Sequence, residues 1–137
     1  AVEVCCGSSA LGSWLQKRGF DIVAIDWRYN KDKPMVKEVR KINLGSKAGR
    51  KELMEIIKDP RVKYVHFAPP CGTASAARNI RRRNPDGTPH NLDPKPLRSD
   101  QFPDGMEGLS FKDKERVSAA NEVFCTVAGG GVVCRVG

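Results

Sequence analysis

Val2-Glu3-Val4-Cys5-Cys6-Gly7-Ser8-Ser9 reads as a short buried strand closed by a turn of small residues. Leu11, Trp14 and Leu15 then recur at helical spacing, and Gly19 stands where a helix ends in a left-handed cap. Phe20 and Ile22-Val23-Ala24-Ile25 predict a second strand that ends at Asp26-Trp27. Strand, helix, strand in that order is a βαβ unit, whose strands run parallel. The pattern continues with a weak strand at 39–44 and a helix striped by Leu53, Ile56 and Ile57. Asp59-Pro60 stops that helix, and 62–68 predicts the next strand. Farther on, Ser110 and Asp113 form a capping signature, followed by Val117, Ala120, Phe124 and Val127 on one helical stripe. The expected fold is α/β with a largely parallel sheet.

The chain has 137 residues, the size of one domain, and its 9 prolines and 13 glycines imply long irregular segments. The longest is 83–109, rich in Pro, Gly, Asp and Asn. Five cysteines form no CxxC pair and no framework spacing, which predicts a reduced, intracellular protein without a structural zinc or other metal. No signal peptide and no apolar run of membrane-spanning length is present in the sequence. Ala1 opens inside a strand pattern and 129–137 stops in what reads as the next strand, so a fragment truncated on the C-terminal side is expected.

A net charge of +8 is unevenly spread. Residues 27–63 carry twelve Lys/Arg against five Asp/Glu, and Arg78 with Arg81-Arg82-Arg83 forms a second knot. Such surfaces favour polyanions, chiefly nucleic acid, through counterion release. A solvated face or a localisation tag is the alternative.

Tyr64-Val65-His66-Phe67-Ala68-Pro69-Pro70-Cys71 carries the chemistry. Two prolines can neither continue a ladder nor enter the body of a helix, so Cys71 is set on a stiff turn after a strand. The carboxyl ends of parallel strands are where α/β sheets bind ligands, which makes that thiol a candidate nucleophile. At the first turn, Gly7 would admit a close backbone approach, and Asp26, nineteen residues later, is placed to accept ribose hydroxyls. Glu3 precedes that turn within a strand, where a carboxylate needs a partner or a purpose.

Together these two half-motifs resemble the DNA cytosine methyltransferases that act on carbon-5. Their Asp-Leu-Phe-Cys-Gly-x-Gly-Gly opening is matched by Glu3-Val4-Cys5-Cys6-Gly7-Ser8-Ser9-Ala10, then Gly19-Phe20 and Asp26-Trp27. Their Gly-Pro-Pro-Cys-Gln-x-Phe-Ser segment is matched by Ala68-Pro69-Pro70-Cys71-Gly72-Thr73-Ala74-Ser75. The resemblance covers roughly residues 2–78. It implies a Rossmann-like fold that binds S-adenosylmethionine, with Glu3, Gly7, Asp26, Trp27, Asn43, Leu44 and Pro70 around the cofactor. Trp27 would lie against the adenine, Asn43-Leu44 at its edge, and Pro70 near the methyl group. Cys71 would attack carbon-6 of a flipped cytosine in DNA. Arg78 is placed either to favour the thiolate or to contact phosphate, with Arg81, Arg82 and Arg83 also facing nucleic acid.

The chain departs from the pattern at Cys5, Ser9, Ala10, Gly72 and Ala74. The family's Glu-Asn-Val segment belongs on the strand expected at 132–136, where Cys134-Arg135-Val136 stands instead. Glu122, within Asn121-Glu122-Val123 on a helical stripe, is not a substitute. The Arg-x-Arg segment, the target-recognition region and the closing cofactor motif are also missing. A degenerate methyltransferase-like domain that only binds nucleic acid or cofactor is therefore the alternative. Two other readings fit less well. A tyrosine phosphatase needs five residues between Cys and Arg, whereas Cys71 and Arg78 enclose six. An amino-group methyltransferase needs a polar residue at Ala68 and an aromatic at Cys71.

Overall fold

A computed structural model of the chain describes residues 1–129, so the strand expected at 132–136 lies outside the described residues. In chain order the elements are β1 (Val2–Val4), α1 (Ala10–Gln16), β2 (Val23–Asp26), β3 (Val39–Lys41), α2 (Lys47–Lys58), β4 (Val65–Phe67), a 3-10 turn (Ala76–Asn79) and α3 (Phe111–Gly129). The four strands form one all-parallel sheet in the order β3-β2-β1-β4, which bears out the α/β class. The chain first adds β2 and β3 on one side of β1 and then crosses to add β4 on the other. The order therefore reverses at β1, the position at which such sheets leave a crevice beyond their carboxyl ends.

The strands are shorter than the apolar runs that announce them. β1 stops at Val4 because Cys5 turns left-handed, at φ 57°. At one end of the described sheet β3 exposes Arg40 and Lys41, charges that blunt a sheet edge. By contrast β1 is buried along its whole length, as a central parallel strand must be. Val2 and Val4 pack with Ile25, Ile42, Leu44 and Leu53 in the core.

The ends of α1 and α2 and the start of α3 follow local sequence signals. In α1 the Gly19 N–H donates to the Gln16 carbonyl at 3.0 Å and the Phe20 N–H to the Leu15 carbonyl at 3.2 Å. That pair of bonds is a Schellman closure, and the glycine supplies its φ of 87°. Ser46 caps α2 by accepting from the Gly49 N–H at 3.0 Å, and Leu53 on the inner face is fully buried. Beyond its last turn Asp59 grips Arg61 at 2.6 Å, and this hydrogen-bonded pairing holds the Asp59 carboxyl down to about 2. Ser110 opens α3, donating to Asp113 Oδ2 at 2.8 Å and accepting from the Asp113 N–H at 3.2 Å.

The chain gathers into two compact units. One is Ala1–Pro69 together with the stretch from Glu122 onward, and the other is Pro70–Asn121. The first holds the sheet. In it Glu122 on α3 pairs with Arg50 on α2 at 2.8 Å, and the buried Thr126 hydroxyl donates to the Leu44 carbonyl at 3.2 Å. The second has a small core that includes Leu97, Val117 and Ala120. Segment 83–109 within it contains neither helix nor strand, as its composition predicts.

A glycine in a helix normally gains about 1 kcal/mol on replacement by Ala. At Gly49 the added Cβ would stand 2.1 Å from the backbone oxygen of Asn43. Gly49→Ala is therefore expected to lower the melting temperature despite the better propensity; a higher one in a thermal scan would contradict this packing.

Candidate functional site

The turn after β1 is unusual in its backbone. Cys5, Gly7 and Ser9 all take left-handed φ, at 57°, 53° and 52°. For the two residues that are not glycine this costs roughly 1–2 kcal/mol each, so the fold must offset it. Glu3 does so at Ser9. Its buried Oε2 accepts the Ser9 hydroxyl at 2.6 Å and the Gly12 N–H at 2.9 Å. Ser9 stands at the N-cap of α1, yet its side chain makes no cap bond. The carboxylate of the neighbouring strand satisfies an otherwise orphaned helix donor instead. Gly12 leaves room for this, since a Cβ there would lie 2.5 Å from Ser9 Oγ and 2.7 Å from Glu3 Oε2.

Asp26 closes the same turn from β2. Its Oδ2 accepts the Gly7 N–H at 2.7 Å and the Asn30 side-chain amide at 3.0 Å, while Oδ1 accepts the Trp27 N–H at 2.7 Å. The structure thus brings together Gly7 and Asp26, at the carboxyl ends of adjacent strands. Trp27 comes next as an exposed ring set edge-on to Tyr29, with centroids 5.0 Å apart. Asn43 and Leu44 are placed less openly. Asn43 Oδ1 accepts the Gly45 N–H at 3.0 Å, its carbonyl accepts the Ser46 hydroxyl at 2.8 Å, and the Leu44 side chain is buried in the core. Glu3, too, turns its Oε2 inward to the lock rather than outward.

Cys5 and Cys6 are unsuited to attack. Burial first, and then the nearby Asp26 carboxylate, push the Cys5 thiol up to about 11 and the Cys6 thiol up to about 12.

The second unit presents Pro70 and Cys71, both exposed. The Ala74 N–H donates to the Cys71 carbonyl at 2.9 Å, making a tight turn. Two arginines fix Gly72 and Thr73, directly after the cysteine. Arg78 Nε donates to the Gly72 carbonyl. Arg98 Nη2 reaches the buried Thr73 hydroxyl at 3.1 Å, while its Nη1 reaches Asn121 Oδ1 at 2.7 Å. Asn121 in turn donates to the Asp104 carbonyl at 2.9 Å.

The basic knot is built into the loop rather than left dangling from it. Arg78 also donates to the Lys95 carbonyl at 2.9 Å, Arg81 to the Pro94 carbonyl at 3.0 Å, and Arg83 to the Gly87 carbonyl at 2.8 Å. Arg82 pairs with Asp93 at 2.6 Å, and its hydrogen bonds hold the Asp93 carboxyl below its ordinary value. Carbonyls are neutral partners, so Arg78, Arg81 and Arg83 keep their charge available to a polyanion while their positions are fixed.

Sequence reasoning missed Arg98, Asn30 and the Ser9 hydroxyl. Each acts through a contact distant in sequence or through an unusual φ, which no periodicity reports. Among the described residues no three His, Cys, Asp or Glu side chains converge on a point that could hold a metal ion. None of the described helices is long and apolar enough to cross a membrane. Comparison with protein-family models, with curated proteins and with solved structures finds no match.

Glu3→Ala would strand two buried donors, at roughly 1–3 kcal/mol each, so a loss of about 2–6 kcal/mol is expected in urea unfolding. Glu3→Ala/Ser9→Ala should cost less than the sum of the single changes, and additivity within about 0.5 kcal/mol would mean that no lock exists. In iodoacetamide labelling at pH 8, Cys71 and Cys125, both exposed, should react before Cys5 and Cys6. A thiol held near 12 is only about 0.01% thiolate at that pH, so Cys6 should lag by at least about 100-fold. Peptide mapping over time reads both rates.

Proposed function

We propose that this chain carries the cofactor half-site and the attacking cysteine of an S-adenosylmethionine-dependent methyltransferase acting on carbon-5 of cytosine in DNA. The observation that carries the reading is the 2.7 Å bond between the Gly7 N–H and Asp26 Oδ2. It joins the two residues that the cofactor pattern requires, at the carboxyl edge of an all-parallel sheet. The strand order supports a Rossmann-like methyltransferase fold as part of the same reading.

The residues present fit the cofactor. Gly7 has the left-handed backbone and missing Cβ that allow a close approach, and Asp26 is an acceptor suited to ribose hydroxyls. Trp27 offers an exposed ring face to the adenine. Glu3 shapes the turn from behind. The main chain at Asn43 and Leu44 remains as the adenine-edge contact. Bound there, S-adenosylmethionine would supply an electrophilic methyl group.

Cys71 does the covalent work on the base. Its thiolate forms a bond to carbon-6, and the electron pair of the 5,6 double bond moves to carbon-5, which becomes nucleophilic. Once carbon-5 carries the methyl group, a water takes the carbon-5 proton, the electron pair left behind re-forms the 5,6 double bond, and the carbon–sulfur bond breaks to release the Cys71 thiolate. Arg98 and Arg78 act as positioning residues, since they pin Thr73 and Gly72 directly after the nucleophile. Arg81 and Arg83, held by neutral carbonyls, supply a fixed cationic surface for phosphate, whereas Arg82 is paired with Asp93. Glu122 takes no part because it is paired with Arg50. A second reading, binding of nucleic acid without methyl transfer, is favoured by the ordered arginine loop alone.

Calorimetric titration of S-adenosylhomocysteine into the folded chain tests the cofactor site, with Asp26→Ala as the comparison and circular dichroism as the folding control. Loss of charge-assisted bonds to two hydroxyls is expected to weaken binding by roughly 10- to 100-fold. Equal affinities would remove Asp26 from the site. Salt-dependent retention of duplex DNA by a chain that ignores the cofactor would favour the second reading.

A further inference from the structure

We infer that residues 28–36 form a strap that closes the Gly7 turn in the free chain and must lift before a ligand can reach Asp26. The inference rests on the proposed cofactor site and adds its regulation. After β2 the chain folds back over the turn and engages it at three points. The Asn30 side-chain amide donates both to the Gly7 carbonyl at 2.8 Å and to Asp26 Oδ2 at 3.0 Å. The Met35 N–H donates to the Ser8 carbonyl at 2.7 Å. Asp32 rests over Gly7, its Oδ2 3.1 Å from where a Cβ on that glycine would stand.

Asn30 therefore offers Asp26 a donor of its own in place of the ribose hydroxyl that the proposed site assigns to it. The same Asp26 oxygen already accepts the Gly7 N–H, and the Cys6 thiol lies 3.8 Å away. An oxygen so surrounded has little capacity for a further donor until one leaves. Asp32 likewise covers the side of Gly7 that lacks a Cβ, the surface that makes a glycine useful there. A ligand and the strap compete for the same atoms.

The strap is built to move at low cost. Between 27 and 35 every residue but Asn30 is exposed, and none belongs to a helix or strand. Asn30 Oδ1 accepts the Asp32 N–H at 2.9 Å, so part of the segment keeps its own shape when it lifts. A segment held by a few hydrogen bonds and no buried apolar side chain opens locally, without unfolding the sheet. The closed population lowers apparent affinity by the fraction of molecules that are open.

The test pairs amide exchange at Met35 with titration of S-adenosylhomocysteine, in the wild-type chain and in Asn30→Ala. Met35→Pro, which deletes the strap's own N–H donor, serves as a second variant with a different structural risk. Faster exchange at Met35 by at least about 10-fold in Asn30→Ala, with affinity tightened about 5- to 10-fold in both variants, is the expected result. Unchanged exchange, or faster exchange with affinity equal to or below wild type, would overturn the strap while leaving the cofactor site standing. If exchange responds but neither wild type nor variants bind the ligand, the cofactor reading fails and the gating role fails with it.

Discussion

The buried Glu3 carboxylate, accepting the Ser9 hydroxyl and the Gly12 amide, is the constraint on which the carboxyl edge of the sheet depends. A charged side chain in the middle of a central strand would be strongly unfavourable without such donors. With them it does several things at once. It caps a helix of only 7 residues, too short to persist alone. It offsets the left-handed backbone of Ser9. It also sets the path of the turn so that the Gly7 amide meets Asp26. Hydrophobic burial of Val2, Val4 and Ile25 makes the strands associate, but it does not specify this turn. The polar lock does.

The second unit solves a different problem with similar means. Its small apolar core must order a long segment without helix or strand, and hydrogen bonds from arginine supply the missing order. Arg98 ties Thr73, Pro103 and Asn121 together, while Arg78, Arg81 and Arg83 each clasp loop carbonyls. Carbonyl partners orient a guanidinium without cancelling its charge. A loop ordered this way presents positive charge in fixed positions, which lowers the conformational cost of meeting phosphates. Asp93, enclosed by the loop and paired with Arg82, is the exception that binds charge to charge.

The parallel sheet, the two helices between its strands and the capped start of α3 were all legible from apolar spacing and end signals. Gly19, Asp59-Pro60 and Ser110 act within a few residues of themselves, so their meaning does not depend on the rest of the fold. The site was legible only in outline. Gly7, Asp26 and Cys71 stand out because their residue types suit a chemistry at a predicted strand end. Leu44 did not reveal that its side chain points into the core, and Asn43 did not reveal that it organises the start of α2. Both roles depend on which way a short loop turns, and the pattern of residues leaves that open.

By itself the sequence determined the alternation of strands and helices, the placing of a cysteine after two prolines, and a surplus of positive charge. Those features arise from local sterics, from periodicity and from a count of ionisable groups. Only the tertiary structure decided that Glu3 faces inward to Ser9, that Asn30 donates to Asp26, and that Arg78, Arg81, Arg83 and Arg98 order a loop. Such contacts join groups distant along the chain, and their strength depends on burial and on angles of a few degrees. Local rules carry neither quantity.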